Sequence, residues 1–545
     1  MADQDTARLC VQIIRSHFGP LTATVASVLL TRGRLSLAQV TRFSSLKPRT
    51  VMASILVLVQ HNLAWHATSD EEGEMIEFNV EECLTRLRFG QFVWQAENLF
   101  GLAAGEIVSL ILDHGQIRPP DVIAMLSATK SKESAVYSQA LHKLVTSKHL
   151  KPATELSHTS PRDKLIQYEA DAKKEIKNFP TTKELRHAKE KAEARLKREK
   201  EEAEKGGFVM QRVAEQKVSR GVKRKAVDEE ILDDSVYFRV NMTKFNIHVR
   251  NKLIETAARE RFNESAAIVM RAVLKATEAK QLELSEIRSD PISLSNIASH
   301  ISDDDDLAGG LSYGPNKRPT TMALIKDYLG LLAAADNPTP AGRASAFLSF
   351  VGSTSGKVQV EFETICRRLR RRALEAVARE RYGDEAVRII RFLLDEGKMN
   401  AENLAKVAMM ANKDMRPLLT SLSADSLVSV QEVPKGADRN PIRTFYIWYV
   451  DLHKAYTVIL GNLYKTLYNI GARRRAEEED SRVKPVLEKC ERSDVRDDAS
   501  LLNRVEREVL KDWEDRRDKL TILEMRVEEA VFILRDLGVL GIGDE

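Results

Sequence analysis

The chain has 545 residues, of which 43% are hydrophobic and 30% charged, and a formal net charge of +4. On a prior of about 150 residues per domain its length calls for several domains. The nearly neutral charge excludes a histone-like polycation and confines any nucleic-acid contact to local patches. No apolar run approaches the roughly 20 residues that span a bilayer, and the N-terminus lacks a signal-peptide pattern. An intracellular protein without a membrane partner is expected. Cys10, Cys83, Cys366 and Cys490 are scattered one by one, which implies neither a disulfide framework nor a zinc ligand set. No metal or other cofactor is expected.

Residues 1–80 read as a first module. Apolar residues recur at helical spacing in LCVQIIRSHFG and LTATVASVLL, joined at Gly19-Pro20, where Gly ends one helix and Pro opens the next. Ser36 caps LAQVTRF, and VMASILVLVQHNL from Val51 is a longer helix with an apolar face. AWHATSD and EMIEFNV, around Glu71-Glu72-Gly73, read as a β-hairpin. Helices followed by a hairpin make a winged helix.

Residues 81–160 carry a second set of helices, EIVSLILDHG, PPDVIAMLSAT and SAVYSQALHKLVTSKHL, with little left for a wing. Residues 161–234 shift to Lys, Glu and Arg and read as a solvated helix or a disordered insertion between the second and third modules. Within them Lys223, Arg224 and Lys225 resemble a short nuclear-import signal. Residues 235–360 hold a third module, with TTMALIKDYLGLLAAA as its long helix and FLSFVGS with GKVQVEF as its hairpin. An acidic and Gly-bearing stretch, 302–319, is expected to interrupt it as a mobile loop. In residues 361–450 the strands SLVSVQEV and RTFYIWYVD flank the Pro434 to Pro441 turn of a fourth module. Residues 451–545 supply two long amphipathic helices, read as an antiparallel hairpin or coiled coil whose stripe from Leu501 to Leu537 forms the seam.

The third and fourth modules repeat each other. ARERFNESAAIVMRAVL from Ala258 and ARERYGDEAVRIIRFLL from Ala378 lie 120 residues apart, and Glu255/Glu375, Arg259/Arg379 and Arg271/Arg391 stay in register. A looser skeleton fits the first two: an aromatic-Gly pair, a Leu and a Gly, as in Phe18-Gly19, Leu30 and Gly33, then in Phe100-Gly101, Leu112 and Gly115. In the third copy Asn263 and Thr277 stand where Gly is expected. The fold class is therefore mostly α with small β-hairpins, as four tandem winged helices and a C-terminal helical hairpin.

No Walker loop, GxGxxG after a strand, HExxH or GxSxG is present, so no catalytic residue is assigned. Charge is the better lead, because Lys and Arg at helix starts meet phosphates while a third helix enters the groove. The candidate nucleic-acid contacts are Lys47 and Arg49, Lys130 and Lys132, Lys317 and Arg318, and Lys413 and Arg416, one pair at the start of each module's third helix. Arg367, Arg368, Arg370, Arg371 and Arg372 form a candidate surface for an acidic partner or phosphates.

Four winged helices, an insertion and a C-terminal coiled coil, with CVQIIRSHFGPLTATVASVLLTRGRLSLAQV and ARERYGDEAVRIIRFLL as their most specific stretches, resemble a known family. It is the winged-helix subunit of the RNA polymerase III initiation heterotrimer, related to the large subunit of transcription factor IIE. The length and the Lys/Glu insertion resemble a fungal version. The resemblance implies a nuclear, non-catalytic subunit that sits with two smaller partners on the clamp side of the polymerase. It also implies help in holding and opening promoter DNA at small RNA genes, such as those for tRNA and 5S rRNA, and contact with initiation factor TFIIIB. Two alternatives stay open. One is a free-standing winged-helix DNA-binding regulator, and the other a scaffold subunit of a large assembly without nucleic-acid contact.

Overall fold

The computed structural model describes residues 3–69, 73–129, 134–174, 181–205, 208–212, 228–302, 305–311, 320–334, 346–351, 356–434, 444–492, 495 and 501–539. The chain forms two compact units, residues 1–245 and 246–545.

The first unit opens with α1 (Gln4–Arg32), which breaks at Gly19, where φ is 84° and ψ 177°. Gly reaches that conformation at no steric cost, and Pro20 then starts the second half. By length and apolar content Gln4–Arg32 does pass the test for a membrane-crossing helix, a correction to the reading of the sequence. In the fold it is broken, and Ile14, Val25, Ala26 and Leu29 are buried in the core. There follow β1 (Leu35–Ser36), α2 (Leu37–Ser44), α3 (Pro48–Gln60), β2 (Ala64–Ser69) and β3 (Gly73–Phe78), the strands forming an antiparallel sheet in the order β1-β3-β2. Ser36 and Gln39 form a capping box that fixes the start of α2. Every third or fourth residue of α3, Val51, Ser54, Ile55 and Leu58, is buried, as an amphipathic helix on a core requires.

Next come α4 (Val80–Thr85), the 3-10 turn Arg86–Arg88, α5 (Phe89–Phe100), α6 (Leu102–His114), α7 (Pro119–Thr129), α8 (Ser134–Thr146) and β4 (Leu150–Pro152). The insertion contributes α9 (Glu155–His158), α10 (Pro161–Lys174), α11 (Thr182–Lys205) and a hairpin of β5 (Phe208–Arg212) with β6 (Asp228–Leu232). After it, β7 (Phe238–Val240) pairs antiparallel with β4, and Ile117 bridges to Phe238. The insertion therefore lies inside the wing of the second sheet, where the sequence alone suggested a linker beyond it. The missing strand was hidden because it returns after more than eighty residues, outside the reach of any turn signal.

Nor is the described part of the insertion merely solvated. Tyr168 on α10 is buried and donates its hydroxyl proton to Glu199 on α11, with the Arg195 guanidinium 4.2 Å from the ring centre. Ala188 and Ala192 close the seam at 4% and 2% exposure. Two alanines let the helices approach closely enough for one aromatic to bridge them. Asp163 then accepts from Arg34 of the first module at 2.8 Å.

The second unit rests on a helix pair that occurs twice. The first pair is α12 (Met242–Arg261) with α13 (Glu264–Thr277), followed by β8 (Ile292–Ser293), α14 (Leu294–Ala298), α15 (Thr321–Ala333), β9 (Leu348–Val351) and β10 (Lys357–Val360). The second pair is α16 (Phe362–Tyr382) with α17 (Asp384–Glu396), followed by β11 (Met399–Asn400), α18 (Ala401–Ala408), α19 (Asn412–Ala424), β12 (Ser429–Pro434) and β13 (Thr444–Tyr449). Their sheets run β8-β10-β9 and β11-β13-β12, the same order as β1-β3-β2. Where the other helix pairs turn on Gly101 or Gly383 with positive φ, Asn263 has a φ of −162° and caps α13 by accepting from the Ala266 N–H. The third copy departs from Gly where its backbone no longer visits the left-handed region.

The described part of the 302–319 loop is anchored at Leu307, while Ser302, Asp306, Gly309 and Gly310 are exposed. Leu307 is 4% exposed, and its carbonyl accepts from the buried Tyr328 hydroxyl at 3.1 Å. The last described elements are α20 (Leu452–Glu478), α21 (Lys484–Cys490) and α22 (Arg504–Val531), then a π-turn at Phe532–Asp536 and a 3-10 turn at Leu537–Val539. Helices α20 and α22 pack as the expected hairpin. The stripe is unevenly covered: Leu501 and Val505 are exposed, while Val531, Leu534 and Leu537 are buried. Phe532 and Leu537 pack on α16 and join the core it shares with α13 and α15, and Leu534 belongs to the core that includes Ile390 and Leu419.

Candidate nucleic-acid interface

In three of the sheets' modules the second helix is capped by a side chain and the third is not. Ser36, Ser293 and Asn400 each accept from a first-turn N–H of α2, α14 and α18. At the starts of α3, α15 and α19 the cap positions Lys47, Thr320 and Ala411 make no such bond. The first N–H groups of a helix carry about half a positive charge between them and lack intrahelical partners. Left uncapped, they suit an outside acceptor such as a phosphate.

At two of these starts the predicted cations are described. Lys47 and Arg49 bracket Pro48 at the start of α3, and both are exposed. Lys413 and Arg416 lie one turn apart on α19 and are exposed, with the acidic Asp414 between them. None of the four has an ion-pair partner among the described residues. Lys130 and Lys132, Lys317 and Arg318, and the run Lys223, Arg224 and Lys225 lie outside the described residues.

The arginine run on α16 is placed differently from the surface expected of it. Arg370 is 3% exposed and lies 5.6 Å from the Tyr456 ring centre. Arg367 pairs with Glu363 at 3.0 Å, Arg371 with Glu375 at 3.2 Å and with Asp395 at 3.3 Å, and Arg372 with Glu260. Arg368 sits 5.9 Å from the Phe347 ring centre. Arg370 is thus withdrawn from the candidate surface for an acidic partner or phosphates, while Arg367 and Arg371 are bridged within α16 and Arg371 and Arg372 also to other helices, each still partly exposed. Period alone could have warned of it: Arg370 falls one residue from Leu369 and on the same side as Cys366 and Leu374, which are all buried.

Three family models match the chain. One for the helix-turn-helix domain of RNA polymerase III subunit RPC82 takes residues 8–67, one for RNA polymerase III subunit RPC82 takes residues 139–339, and one for the C-terminal winged-helix domain of POLR3C takes residues 374–450. Together they take in more than half of the chain. Curated relatives align over nearly its whole length. "DNA-directed RNA polymerase III subunit rpc3" of Aspergillus clavatus is 26% identical, with 98% of this chain and all of the relative aligned. "DNA-directed RNA polymerase III subunit RPC3" of Bos taurus is 23% identical over 97% of this chain and 98% of the relative, and its Danio rerio counterpart is 24% identical over 97% of each. The chain belongs to this family of RNA polymerase III subunits.

As a polymerase III subunit it associates with other subunits of that enzyme. The relatives are both fungal and animal, so membership does not depend on the fungal features of length and insertion. Two of the matched regions fall on modules just described, while the match over 139–339 runs from within α8 to beyond α15. Residues 8–67 cover α1 to α3, and residues 374–450 cover most of α16 through β13.

Sequence reasoning missed the seam between the first two modules. The Gln60 amide donates to the carbonyls of His114 and Gln116 at 3.1 and 2.9 Å, and the Gln116 amide returns to Gln60 at 3.3 Å. His61 packs with its ring centre 4.7 Å from that of Phe18, and the Arg86 guanidinium lies 4.7 Å from the same Phe18 ring centre. Burial, aided by the charges of Arg86, His114 and His17, pushes the His61 imidazole down to about 4. Glutamines at a helix end carry no spacing signal, so nothing in the chain announces this contact.

Proposed function

We propose that this polymerase III subunit is a nuclear, non-catalytic part of a heterotrimer that helps hold and open promoter DNA. In this reading it sits with two smaller partners on the clamp of the largest subunit and contacts initiation factor TFIIIB. The observation that carries DNA contact is the start of α19, where an uncapped helix N-terminus lies beside the exposed Lys413 and Arg416. Backbone N–H groups and two cations a turn apart fit successive phosphates, and such contacts position DNA without reading its sequence. A subunit of a general transcription enzyme needs that kind of contact.

The test is the salt dependence of promoter-DNA binding by the chain, alone and assembled in the polymerase, with Lys413→Gln and Arg416→Gln combined. Each lost phosphate contact removes about 0.9 from the slope of log affinity against log salt, so two make it shallower by roughly 1.8. An unchanged affinity and slope would reject DNA contact at α19 and favour the scaffold alternative.

A further inference from the structure

Helix α3 turns a different chemistry outward from its counterparts. Its periodicity leaves Met52, Ala53, Leu56 and Val57 outside, with Met52 51%, Leu56 64% and Val57 37% exposed. With the buried residues of the helices in register, the corresponding positions are Arg416, Pro417, Thr420 and Ser421 on α19, and Ser138, Gln139, His142 and Lys143 on α8. Base edges and phosphates demand hydrogen-bond donors and cations. Four adjacent apolar side chains supply none. A cluster of this kind in water is the signature of a covered face rather than of scattered exposure.

The charge around the face narrows what covers it. Helix α3 holds no acidic residue, and Arg42, Lys47 and Arg49 stand near its start without an ion-pair partner among the described residues. An apolar centre with a cationic border complements an apolar ridge with a carboxylate border, and like charge would be repelled. We propose that the outward face of α3 docks another subunit of the polymerase, one that lays an apolar ridge edged by Asp or Glu across Met52, Leu56 and Val57. This rests on the polymerase-subunit reading and divides the work between modules: α3 grips protein, and α19 meets phosphate. The uncapped start of α3 and its two cations then serve the partner's carboxylates rather than DNA.

The experiment places the photoreactive residue p-benzoylphenylalanine at Leu56 of the full chain, assembled in the purified polymerase with promoter DNA. The expected product is a crosslink to another polymerase subunit, in a peptide where apolar residues neighbour Asp or Glu. In parallel, Leu56→Asp should shorten the lifetime of the chain on the polymerase roughly tenfold or more, the effect of spoiling a central contact, with an unchanged unfolding temperature because the site is exposed. A crosslink to DNA, to a second copy of the chain, or to nothing would overturn the proposal, as would a wild-type lifetime for Leu56→Asp. A wild-type chain that fails to assemble with the polymerase at all would instead overturn the reading on which it rests.

Discussion

Arg391 bonds Glu375 at 2.6 Å, and Arg271 bonds Glu255 at the same 2.6 Å, each residue displaced by 120 positions from its counterpart. The repeat is one of physics as well as of letters. In each copy the carboxylate lies on the first helix of the pair and the arginine on the second, so one bridge sets the packing of both. Arg259 with Glu264 and Arg379 with Asp384 repeat a second bridge across the turn, at 2.6 and 2.8 Å.

The carboxylates are nearly covered, Glu375 at 12% and Glu255 at 6% side-chain exposure. Burial pushes the Glu375 carboxyl up, but the bonds and charges of Arg391 and Arg371 outweigh it and leave the group below its ordinary value. Arg391→Leu should therefore cost about 1–3 kcal/mol in urea unfolding, mostly for leaving a covered carboxylate short of a partner. Adding Glu375→Gln should recover part of that loss. Because the folded value is depressed, the bridge contributes above the unfolded carboxylate value of about 4.3 and fades as pH falls below it. Strict additivity of the two substitutions would show that the bridge contributes nothing.

A second prediction separates structure from binding in the arginine run. Arg370 is buried against Tyr456, and its 120-residue counterpart Arg250 is fully buried, 3.8 Å from the Phe362 ring centre, donating to the Leu284 carbonyl and to Gln281. Arg370→Ala should lower stability by about 2–4 kcal/mol through lost packing and cation–π contact. It should leave the salt slope of DNA binding unchanged. A shallower slope with undiminished stability would restore the run as a phosphate surface.

What could be read from the chain alone follows the range of each signal. Helix periods, the Ser36 cap, the Gly19-Pro20 break and the β12–β13 wing are local, and they stand where the residues placed them. Partners distant in sequence were not legible. The β4–β7 pairing spans the insertion, and the Gln60–Gln116 seam and the C-terminal wedge join segments with no shared pattern. The cation pairs were legible as residues, but whether each is free or engaged depends on neighbours that only the fold supplies. The α16 run shows the difference, since its bridges reach Glu260 and Asp395 on other helices.

The C-terminal wedge gives a third prediction. Phe532 is fully buried, with Leu537 beside it at 0% and Leu534 at 6% in the neighbouring core. Phe532→Ala removes an aromatic ring from a filled core and should cost about 3–5 kcal/mol. Hydrogen exchange should then quicken in α13 and α15 of the second unit, with the first unit unaffected. Equal exchange in both variants would mean that the last turns are dispensable to that core.

Gly115 carries a fourth. Its φ is +83°, and a methyl group there would lie 2.5 Å from the Gln60 carbonyl oxygen and 2.9 Å from His61 Nδ1. Backbone cannot yield as a flexible side chain can. Gly115→Ala should destabilise the seam by about 2–4 kcal/mol, from the left-handed backbone together with the clash. The measurement is thermal unfolding with hydrogen exchange at the ends of α3 and α6, and wild-type values at both would show that the two modules do not close on this contact.

His61 makes that seam sensitive to protons. Its imidazole is held at about 4 by burial first and then by Arg86, His114 and His17, so the unfolded chain takes up a proton at a higher pH than the folded one. Stability from the neutral ring is therefore complete above an unfolded value of about 6.5 and is lost as pH falls from there towards 4. For a shift of that size the loss is at most about 3 kcal/mol. His61→Gln removes the titrating group at this position. Local opening at the ends of α3 and α6, followed by hydrogen exchange, should rise steeply below pH 6.5 in the wild type and much less in the variant. A residual slope is expected from His17 and His158, both also lowered by burial. Identical slopes in the two proteins would assign the acid sensitivity to other groups and leave His61 as packing alone.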